Sequence, residues 1–395
     1  MRLSTSYEVL TGTLSNIASV VEDSLSSEEM RNVVFACSED TMLMIGINQL
    51  ITYRKKIELG DFRVVFSEED AKNEDGMYYF QLNSKELTGF LNSFKGMRKT
   101  KPSDVIFESK NGGLKIALTV VEDSLSDAEV KNTSQWVFDN PQINRATFAE
   151  LSRQLPADDA NWSPVQTKSI LCYVANMLPV MTSEGNSTLY NILTFGEDFV
   201  VAFNQRFNTL MQNILPNEFK GISLNYRAVS FMKSVICNSD MVYVSKTETQ
   251  LVFKTDDSEA FVKFLTRLPA YKAFVESYKE DHGIVIDRQY FKDVLKRLAL
   301  VNENITLVID AGASNIAVSN TKFHQNIPII QSKGMEDMGE IRLKVRPQVF
   351  QQAIIGDDNQ FGDELCIYFV KSENGGYTTI FTDFSKSWMS LAVLR

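Results

Sequence analysis

Basic residues recur at a regular spacing on one predicted helix, where they could bind phosphate groups. Arg288, Lys292 and Lys296 recur at every fourth position, which places side chains along one helical face. Such a row of cations attracts phosphate groups without reading bases. The alternative is the ordinary polar face of a half-buried helix, whose carboxyl-terminal cations also complement the helix dipole.

Similar cations occur on five of six predicted helices. The candidate phosphate-binding residues are Lys95, Arg98, Lys99, Lys168, Arg227, Lys233, Arg288, Lys292, Lys296, Arg297 and Arg346. The polar-face interpretation accounts well for the run from Lys95 to Lys101, at the end of a helix. It accounts less well for the whole chain, because a protein with a net charge of −10 places cations repeatedly on its helices.

The net charge of −10 argues against a protein held to nucleic acid by a generally basic surface. The simpler interpretation is that acidity keeps an intracellular protein soluble. A nucleic-acid role therefore requires basic residues gathered on one face, with the acidic excess elsewhere. The first predicted helix, Ser6 to Val21, has no Lys or Arg and departs from the pattern.

Residues that could form a catalytic or metal site are few and scattered. His282 and His324 are the two histidines, and neither has a ligand or triad partner at a suitable spacing. The four cysteines form no C-x-x-C pair, and no phosphate-cradling loop motif is present. The sequence therefore favours a non-enzymatic protein with no cofactor and no metal, in which both histidines are ordinary surface residues.

The scattered cysteines are also typical of a reducing compartment. The amino-terminal segment has no apolar signal-peptide core, and no apolar run reaches membrane-spanning length. We therefore expect a soluble cytoplasmic protein with no membrane partner.

The cations lie on predicted helices, which are recognised by an apolar residue every three or four positions. Six are predicted, at Ser6 to Val21, Ser84 to Met97, Val165 to Leu178, Tyr226 to Cys237, Arg288 to Val301 and Arg346 to Ile355. Short alternating strands lie between them, often around hairpin-type turns. Paired strands are predicted at 31–37 with 41–47, 105–107 with 114–120, 241–244 with 250–253, 305–309 with 316–318 and 365–370 with 378–381. The repeated unit of one helix and a few antiparallel strands predicts an α+β fold of six modules.

Two polar stretches divide the six modules into three pairs. Ala157 to Asn161 belongs to a polar insertion before the third helix, and Glu276 to Gly283 is a charged linker before the fifth. A length of 395 residues suits two or three domains. We predict domains at 1–135, 136–280 and 281–395.

This arrangement resembles the bacterial-type DNA sliding clamp, the β-clamp processivity factor. The likeness covers almost the full length and rests on the order and spacing of local matches. These matches are RQYFKDVLKRLALV (288–301) with NENITLVIDAGASNIAVSN (302–320), IRLKVRPQVFQQAI (341–354), ISLNYRAVSFMKSVI (222–236), FLTRLPAYKAFV (264–275) and LAVLR (391–395). No single match is as specific as a Walker motif.

The resemblance implies three clamp-type domains of two modules each, in a chain that assembles head to tail as a homodimer and closes a ring. Helices would line the hole, and their cations would face the phosphates of double-stranded DNA without sequence specificity. The implied function is DNA replication, in which the ring tethers a DNA polymerase and is placed by a clamp loader. Two other roles stay open: a clamp-like platform for transcription or repair factors, and an α+β interaction module without DNA.

The family also carries a hydrophobic pocket that captures short peptides from polymerases and the clamp loader. Carried over residue by residue, its lining here is Phe203, Arg206, Phe207, Pro269, Phe274, Leu391, Val393 and Leu394. The alternative for the apolar members is ordinary core packing.

This chain departs from the family in three places. The segment from Phe203 to Phe207 replaces a turn that contains Gly and His, and the carboxyl terminus lacks the usual proline. The insertion that carries Trp162 is longer than usual. The preferred peptide therefore stays open, and the departures suggest a divergent or phage-encoded clamp, which would act in the host cytoplasm.

Overall fold

The computed structural model describes residues 2–21, 28–59, 76–95, 100–110, 113–122, 130–139, 142–151, 161–181, 191–204, 207–266, 280–300, 304–309, 314–354, 362–371 and 377–394. Within these ranges the chain forms seven α-helices and antiparallel β-sheets, which confirms the predicted α+β class. The helices are α1 (Tyr7–Ala18), α2 (Ser84–Asn92), α3 (Arg145–Leu151), α4 (Thr167–Met177), α5 (Tyr226–Ser234), α6 (Arg288–Ala299) and α7 (Pro347–Ala353).

The described strands number twenty-four. The first twelve are β1 (Arg2–Ser6), β2 (Asn32–Cys37), β3 (Thr41–Ile47), β4 (Ile51–Glu58), β5 (Tyr78–Asn83), β6 (Thr100–Lys110), β7 (Gly113–Glu122), β8 (Val130–Phe138), β9 (Ser163–Gln166), β10 (Ile192–Phe195), β11 (Phe199–Phe203) and β12 (Phe207–Gln212). The others are β13 (Ile222–Asn225), β14 (Met241–Lys246), β15 (Gln250–Lys254), β16 (Ser258–Lys263), β17 (Gly283–Asp287), β18 (Ile305–Ile309), β19 (Asn315–Ser319), β20 (His324–Lys333), β21 (Ile341–Val345), β22 (Glu364–Lys371), β23 (Tyr377–Thr382) and β24 (Trp388–Leu394).

The described elements repeat one module six times: a strand, a helix that follows it at once, and three further strands. The first module is β1-α1-β2-β3-β4, and the same order recurs from β5, β9, β13, β17 and β21. At three of the strand–helix junctions, Asn83, Asn225 and Asp287 accept a hydrogen bond from a backbone N–H of the first helical turn. Such a cap fixes where the helix begins, so the strand end positions the helix. The six predicted modules are confirmed.

Helix α3 stands outside this repeat and was not predicted. Asn144 accepts a hydrogen bond on Oδ1 from the backbone N–H of Thr147, and the Phe148 ring stacks on Tyr79 of β5 with centroids 4.4 Å apart. The cap residue was visible in the sequence, but a helix of seven residues has too few apolar positions to show a period.

The chain divides into two compact units. The first comprises residues 1–165 and 234–263 and contains an eight-stranded sheet, β5-β2-β3-β4-β16-β15-β14-β9, and a four-stranded sheet, β1-β6-β7-β8. The second comprises residues 166–233 and 264–395 and contains one sheet of twelve strands, β13-β10-β11-β12-β24-β23-β22-β17-β20-β19-β18-β21. The predicted middle domain, 136–280, thus contributes strands to both units, and the division into three domains stays a prediction.

Three aromatic side chains in mutual contact mark the core of the first unit. Phe35 and Phe80 belong to the eight-stranded sheet and stack with centroids 4.6 Å apart, and Phe107 of the four-stranded sheet lies 6.1 Å from both. Helix α1 lies close against β3 at Gly46, where an added Cβ would come within 2.8 Å of the Ile17 carbonyl oxygen. A glycine at this position lets the helix approach the sheet.

The core of the second unit joins its last two helices to the sheet. The Phe350 ring of α7 makes edge contacts with Phe291 of α6 at 6.1 Å and with Phe381 of β23 at 5.4 Å. All three rings are buried. Buried edge-to-face aromatic contacts of this kind hold an amphipathic helix in a fixed position on a sheet.

Two strand pairings join modules that are far apart in sequence. β4, the last strand of the first module, pairs with β16, the last strand of the fourth. β12, the last strand of the third module, pairs with β24, the last strand of the sixth. We call these pairings the β4–β16 seam and the β12–β24 seam.

Candidate nucleic-acid interface and partner-binding region

Most of the predicted phosphate-binding cations lie on the surface of a helix or at its end. Seven of the eleven have exposed side chains: Lys95, Lys168, Arg227, Lys233, Lys296, Arg297 and Arg346. Lys292 is half-buried, and Arg98 and Lys99 lie outside the described residues. The exposed cations therefore occur next to or on α2, α4, α5, α6 and α7, whereas α1 carries none.

Arg288 was predicted to face phosphates, and this prediction is wrong. Its side chain is only 1% exposed, and the guanidinium lies over the Trp388 ring at 5.8 Å from the centroid. An α-helix turns 100° per residue, so each step of four residues drifts by about 40°. Across two such steps the row moves from buried Arg288 to exposed Lys296, and these cations do not share one exposed face.

The densest group of exposed cations lies in the last turns of α6. Lys296 Nζ donates to Asp293 Oδ1 at 3.3 Å, and Arg297 Nε donates to the Asp293 backbone oxygen at 3.2 Å. Gln289 Nε2 also donates to Asp293 Oδ1, at 3.0 Å. Asp293 thus holds both cations on one side of the helix and offsets part of their charge. Asp293 was not among the predicted site residues, although its spacing of three and four positions from the two cations was visible in the sequence.

The residues predicted to form a peptide pocket converge on the β12–β24 seam as far as they are described. Phe203 and Leu391 are buried in one cluster with Val201, Leu210, Ile380 and Met389. Phe207 lies opposite Ala392 in the ladder, and Val393 and Leu394 continue β24 opposite β23. Arg206, Pro269 and Phe274 lie outside the described residues. Burial of Phe203 and Leu391 agrees with the core-packing alternative for these two side chains.

The thiols are poor nucleophiles in this environment. Burial raises the pKa of the Cys237 thiol to about 12 and that of Cys366 to about 11, and it raises the pKa of Cys37 and Cys172 as well. A raised pKa leaves little reactive thiolate near neutral pH.

The two histidines occupy different settings. His282 is half-buried, and its Nδ1 lies 2.5 Å from the Gly334 carbonyl oxygen, whereas His324 is exposed at the start of β20. The prediction of an ordinary surface histidine therefore suits His324 better than His282. Among the described residues, no three His, Cys, Asp or Glu side chains gather as a metal site would require.

No helix in the described part of the chain has both the length and the apolar character needed to cross a membrane.

Comparison with known proteins gives a likeness in structure. No protein-family profile and no curated protein matches the sequence. The chain is similar to the crystal structure of the DNA polymerase sliding clamp from Bacillus subtilis, with a TM-score of 0.72 and 13% sequence identity. It is also similar to the DNA polymerase III subunit beta from Pseudomonas aeruginosa and the DNA polymerase beta subunit of Streptococcus pyogenes, each with a TM-score of 0.71 and 11% identity.

These likenesses cover 100% of this chain and at least 99% of each of the three known chains. At so low a sequence identity, the structural likeness shows the fold alone, and the function has to be argued separately. The predicted resemblance is confirmed at that level: the chain has the fold of the bacterial DNA polymerase sliding clamps.

Proposed function

We propose that this chain is a non-enzymatic DNA sliding clamp, which encircles duplex DNA in the cytoplasm and tethers a DNA polymerase during replication. The observation that carries the proposal is the full-length match to sliding clamps, from the first module to the last. The placement of exposed cations on α4, α5 and α6 and next to α2 and α7 supports it.

Charge placement suits a protein that slides. Cations on the helices attract phosphates without base specificity, because contacts to the DNA backbone carry no direct sequence information. The net charge of −10 limits nonspecific binding of DNA to the rest of the protein surface. A ring around DNA is held by topology, so its contacts with phosphates can be weak.

The module order supplies a physical argument for a ring of two chains. Four of the six last strands pair with each other inside the chain, in the β4–β16 and β12–β24 seams. The other two last strands are β8 and β20. β8 ends the order of the four-stranded sheet and carries exposed Trp136 and Val137.

β20 lies between β17 and β19 in the twelve-stranded sheet, but β17 pairs with it only through residues 329–333. A third seam of the same kind, between β8 of one copy and the part of β20 that β17 leaves unpaired in the other, would satisfy the backbone groups of both strands. Head-to-tail use of this pairing twice would close the ring. We propose on this basis that the ring is a homodimer of three-domain chains, with domains at 1–135, 136–280 and 281–395.

Partner peptides would bind beside the β12–β24 seam, at the end that holds the carboxyl terminus. The candidate lining is Phe203, Arg206, Phe207, Pro269, Phe274, Leu391, Val393 and Leu394. Polymerase and clamp loader would compete for this site. The test replaces Phe207 with Ala and measures binding of a polymerase tail peptide by calorimetry; unchanged affinity would refute this lining.

The DNA proposal is tested by reversing the cations of α6. In the presence of the clamp loader, the triple variant K292E/K296E/R297E should be loaded onto nicked circular DNA less than the wild-type protein, because it replaces attraction to phosphates by repulsion. Gel filtration measures the amount retained on the circle. The wild-type protein should stay on the circle and leave it after linearisation, as a ring held by topology does.

A matched control carries the same charge change away from the helices. Lys246, Lys263 and Lys371 have exposed side chains on strands, so K246E/K263E/K371E should keep retention close to wild type. Equal loss in both triple variants would mean that net charge, and not the helix surface, governs DNA association. Retention of the α6 variant would overturn the DNA interface.

A further inference from the structure

One stretch of sheet edge in the second unit lacks a hydrogen-bond donor. β20 pairs with β19 through residues 324–328 and with β17 through residues 329–333. β17 and β19 lie on opposite sides of β20 in the sheet. The side of β20 that β17 covers is therefore open along residues 324–328, where no described strand pairs with it.

The direction of each backbone amide follows from the two ends of the β19–β20 ladder. The Asn320 N–H donates to the Phe323 carbonyl at 2.9 Å, and the Ile329 N–H donates to the Ser314 carbonyl at 2.8 Å. Both bonds lie in the same antiparallel register as the ladder. Successive residues of a strand direct their backbone groups to opposite sides, so odd-numbered residues of this stretch bond to β19.

Residues 324, 326 and 328 therefore direct their backbone groups toward the open edge. All three are exposed. The last of them is Pro328, which has no backbone N–H. The open edge offers three carbonyl acceptors and two N–H donors, His324 and Asn326.

We propose that Pro328 interrupts the hydrogen-bond ladder by which β20 pairs with β8 of a second copy, and that this gap weakens closure of the ring. The proposal rests on the proposed function, which supplies the second copy as the occupant of this edge. A partner carbonyl opposite Pro328 finds no donor on β20 and keeps its water. Proline on an edge strand also blocks longer, uncontrolled sheet growth. The result is an interface that forms in one register and opens again.

Restoring the missing donor tests the proposal. P328A adds one N–H to the open edge and should tighten each interface about fivefold, the effect of one net hydrogen bond. A ring has two such interfaces, so the dimer dissociation constant should fall by about 25-fold. Fluorescence-detected sedimentation over a dilution series measures this constant, and exchange between donor-labelled and acceptor-labelled dimers should slow in parallel.

A second proline supplies the matched control. Pro164 is exposed in β9, which ends the order of the eight-stranded sheet and takes no part in the proposed pairing. P164A should leave the dissociation constant unchanged. In the opposite direction, N326P removes a second outward donor and should weaken the dimer, with circular dichroism confirming that the fold is kept.

The outcomes separate this inference from the proposed function. A dimeric wild type whose dissociation constant is not tightened by P328A overturns the role of Pro328 alone. A wild type that is monomeric at every concentration, with a mass of 44.7 kDa, overturns the ring and this inference with it.

Discussion

The β12–β24 and β4–β16 seams have the same form and different chemistry. Each consists of five antiparallel residue pairs between last strands of distant modules. The β12–β24 seam is buried from Thr209 to Met211 and along the opposite residues of β24, with Leu210 and Met389 opposite each other in an apolar cluster. The β4–β16 seam is buried where Ile51 meets Val262 and charged at its other end.

The charged end of the β4–β16 seam contains two ion pairs. Arg54 pairs with Glu259 directly across the ladder, and Lys55 Nζ lies 3.0 Å from Asp257 Oδ2. The backbone N–H of Lys56 also donates to the Asp257 carbonyl at 2.7 Å. One strand pairing is thus stabilised mainly by burial of its side chains, whereas a second of equal length combines burial at one end with charge pairs at the other.

The largest expected effect is a cavity in the apolar seam. Leu210→Ala removes a fully buried side chain from the cluster and should lower the free energy of unfolding by about 2–5 kcal/mol. Denaturant unfolding followed by Trp388 fluorescence, in a background with Trp136 and Trp162 replaced by Phe, reports on this seam.

Leu300→Ala makes the matched control for this cavity. Leu300 is exposed, so the same truncation there should change the free energy of unfolding by less than about 0.5 kcal/mol. If Leu210→Ala were equally mild, apolar burial would not be what stabilises the β12–β24 seam.

A hydroxyl pair inside the apolar seam gives the next largest effect. Thr209 and Ser390 lie opposite each other, and their side-chain oxygens are 2.9 Å apart in a buried setting. Thr209→Val keeps the shape but leaves the Ser390 hydroxyl without this partner, which should cost about 1–3 kcal/mol.

Adding Ser390→Ala to Thr209→Val removes the orphaned hydroxyl as well. The double variant should therefore be more stable than Thr209→Val alone, as thermal unfolding would measure. A double variant that is less stable than the single one would show that the pair contributes by packing and not by its hydrogen bond.

The sequence predicted the modules because their signals are local. All six predicted helices are present, with caps such as Asn83 and Asp287 near the predicted starts. The predicted strand pairs are also present. They could be predicted because a hairpin brings its two strands together across a short turn. Neither seam was predicted, because pairing between residues some 200 positions apart leaves no periodic mark.

The candidate site was predicted less completely than the fold. Exposure of Lys296 and Arg297 followed from helix periodicity, but burial of Arg288 did not, because it depends on Trp388 from the end of the chain. Phe203 and Leu391 were apolar enough for either a pocket or a core; their burial against β12 and β23 depends on residues far apart in sequence, and their role in a peptide pocket stays a prediction. The burial of a side chain depends on contacts with residues far away in sequence, whereas its position on a helix depends on residues close to it in sequence.

A smaller effect is expected at the inner ion pair of the β4–β16 seam, between Arg54 and Glu259. The Arg54 and Glu259 side chains are 14% and 21% exposed, and Arg54 also lies over the Phe261 ring at 5.2 Å from the centroid. Glu259→Gln removes the charge and keeps the shape, so we expect a loss of about 1–2 kcal/mol, between surface and buried pairs. Denaturant unfolding in low and high salt measures it: the loss should shrink in salt, and a salt-independent loss would contradict a charge effect.

The smallest expected effect belongs to the outer ion pair of the same seam. The Lys55 and Asp257 side chains are 26% and 56% exposed, so solvent screens their attraction. A double-mutant cycle with Lys55→Met and Asp257→Asn should give a coupling energy below about 0.5 kcal/mol. The Lys56 backbone bond to Asp257 is untouched by both changes, which makes the cycle a measure of the side chains alone. A coupling above about 1 kcal/mol would mean that exposed charges stabilise this end of the seam, and the contrast between its buried and charged ends would then be one of chemistry but not of strength.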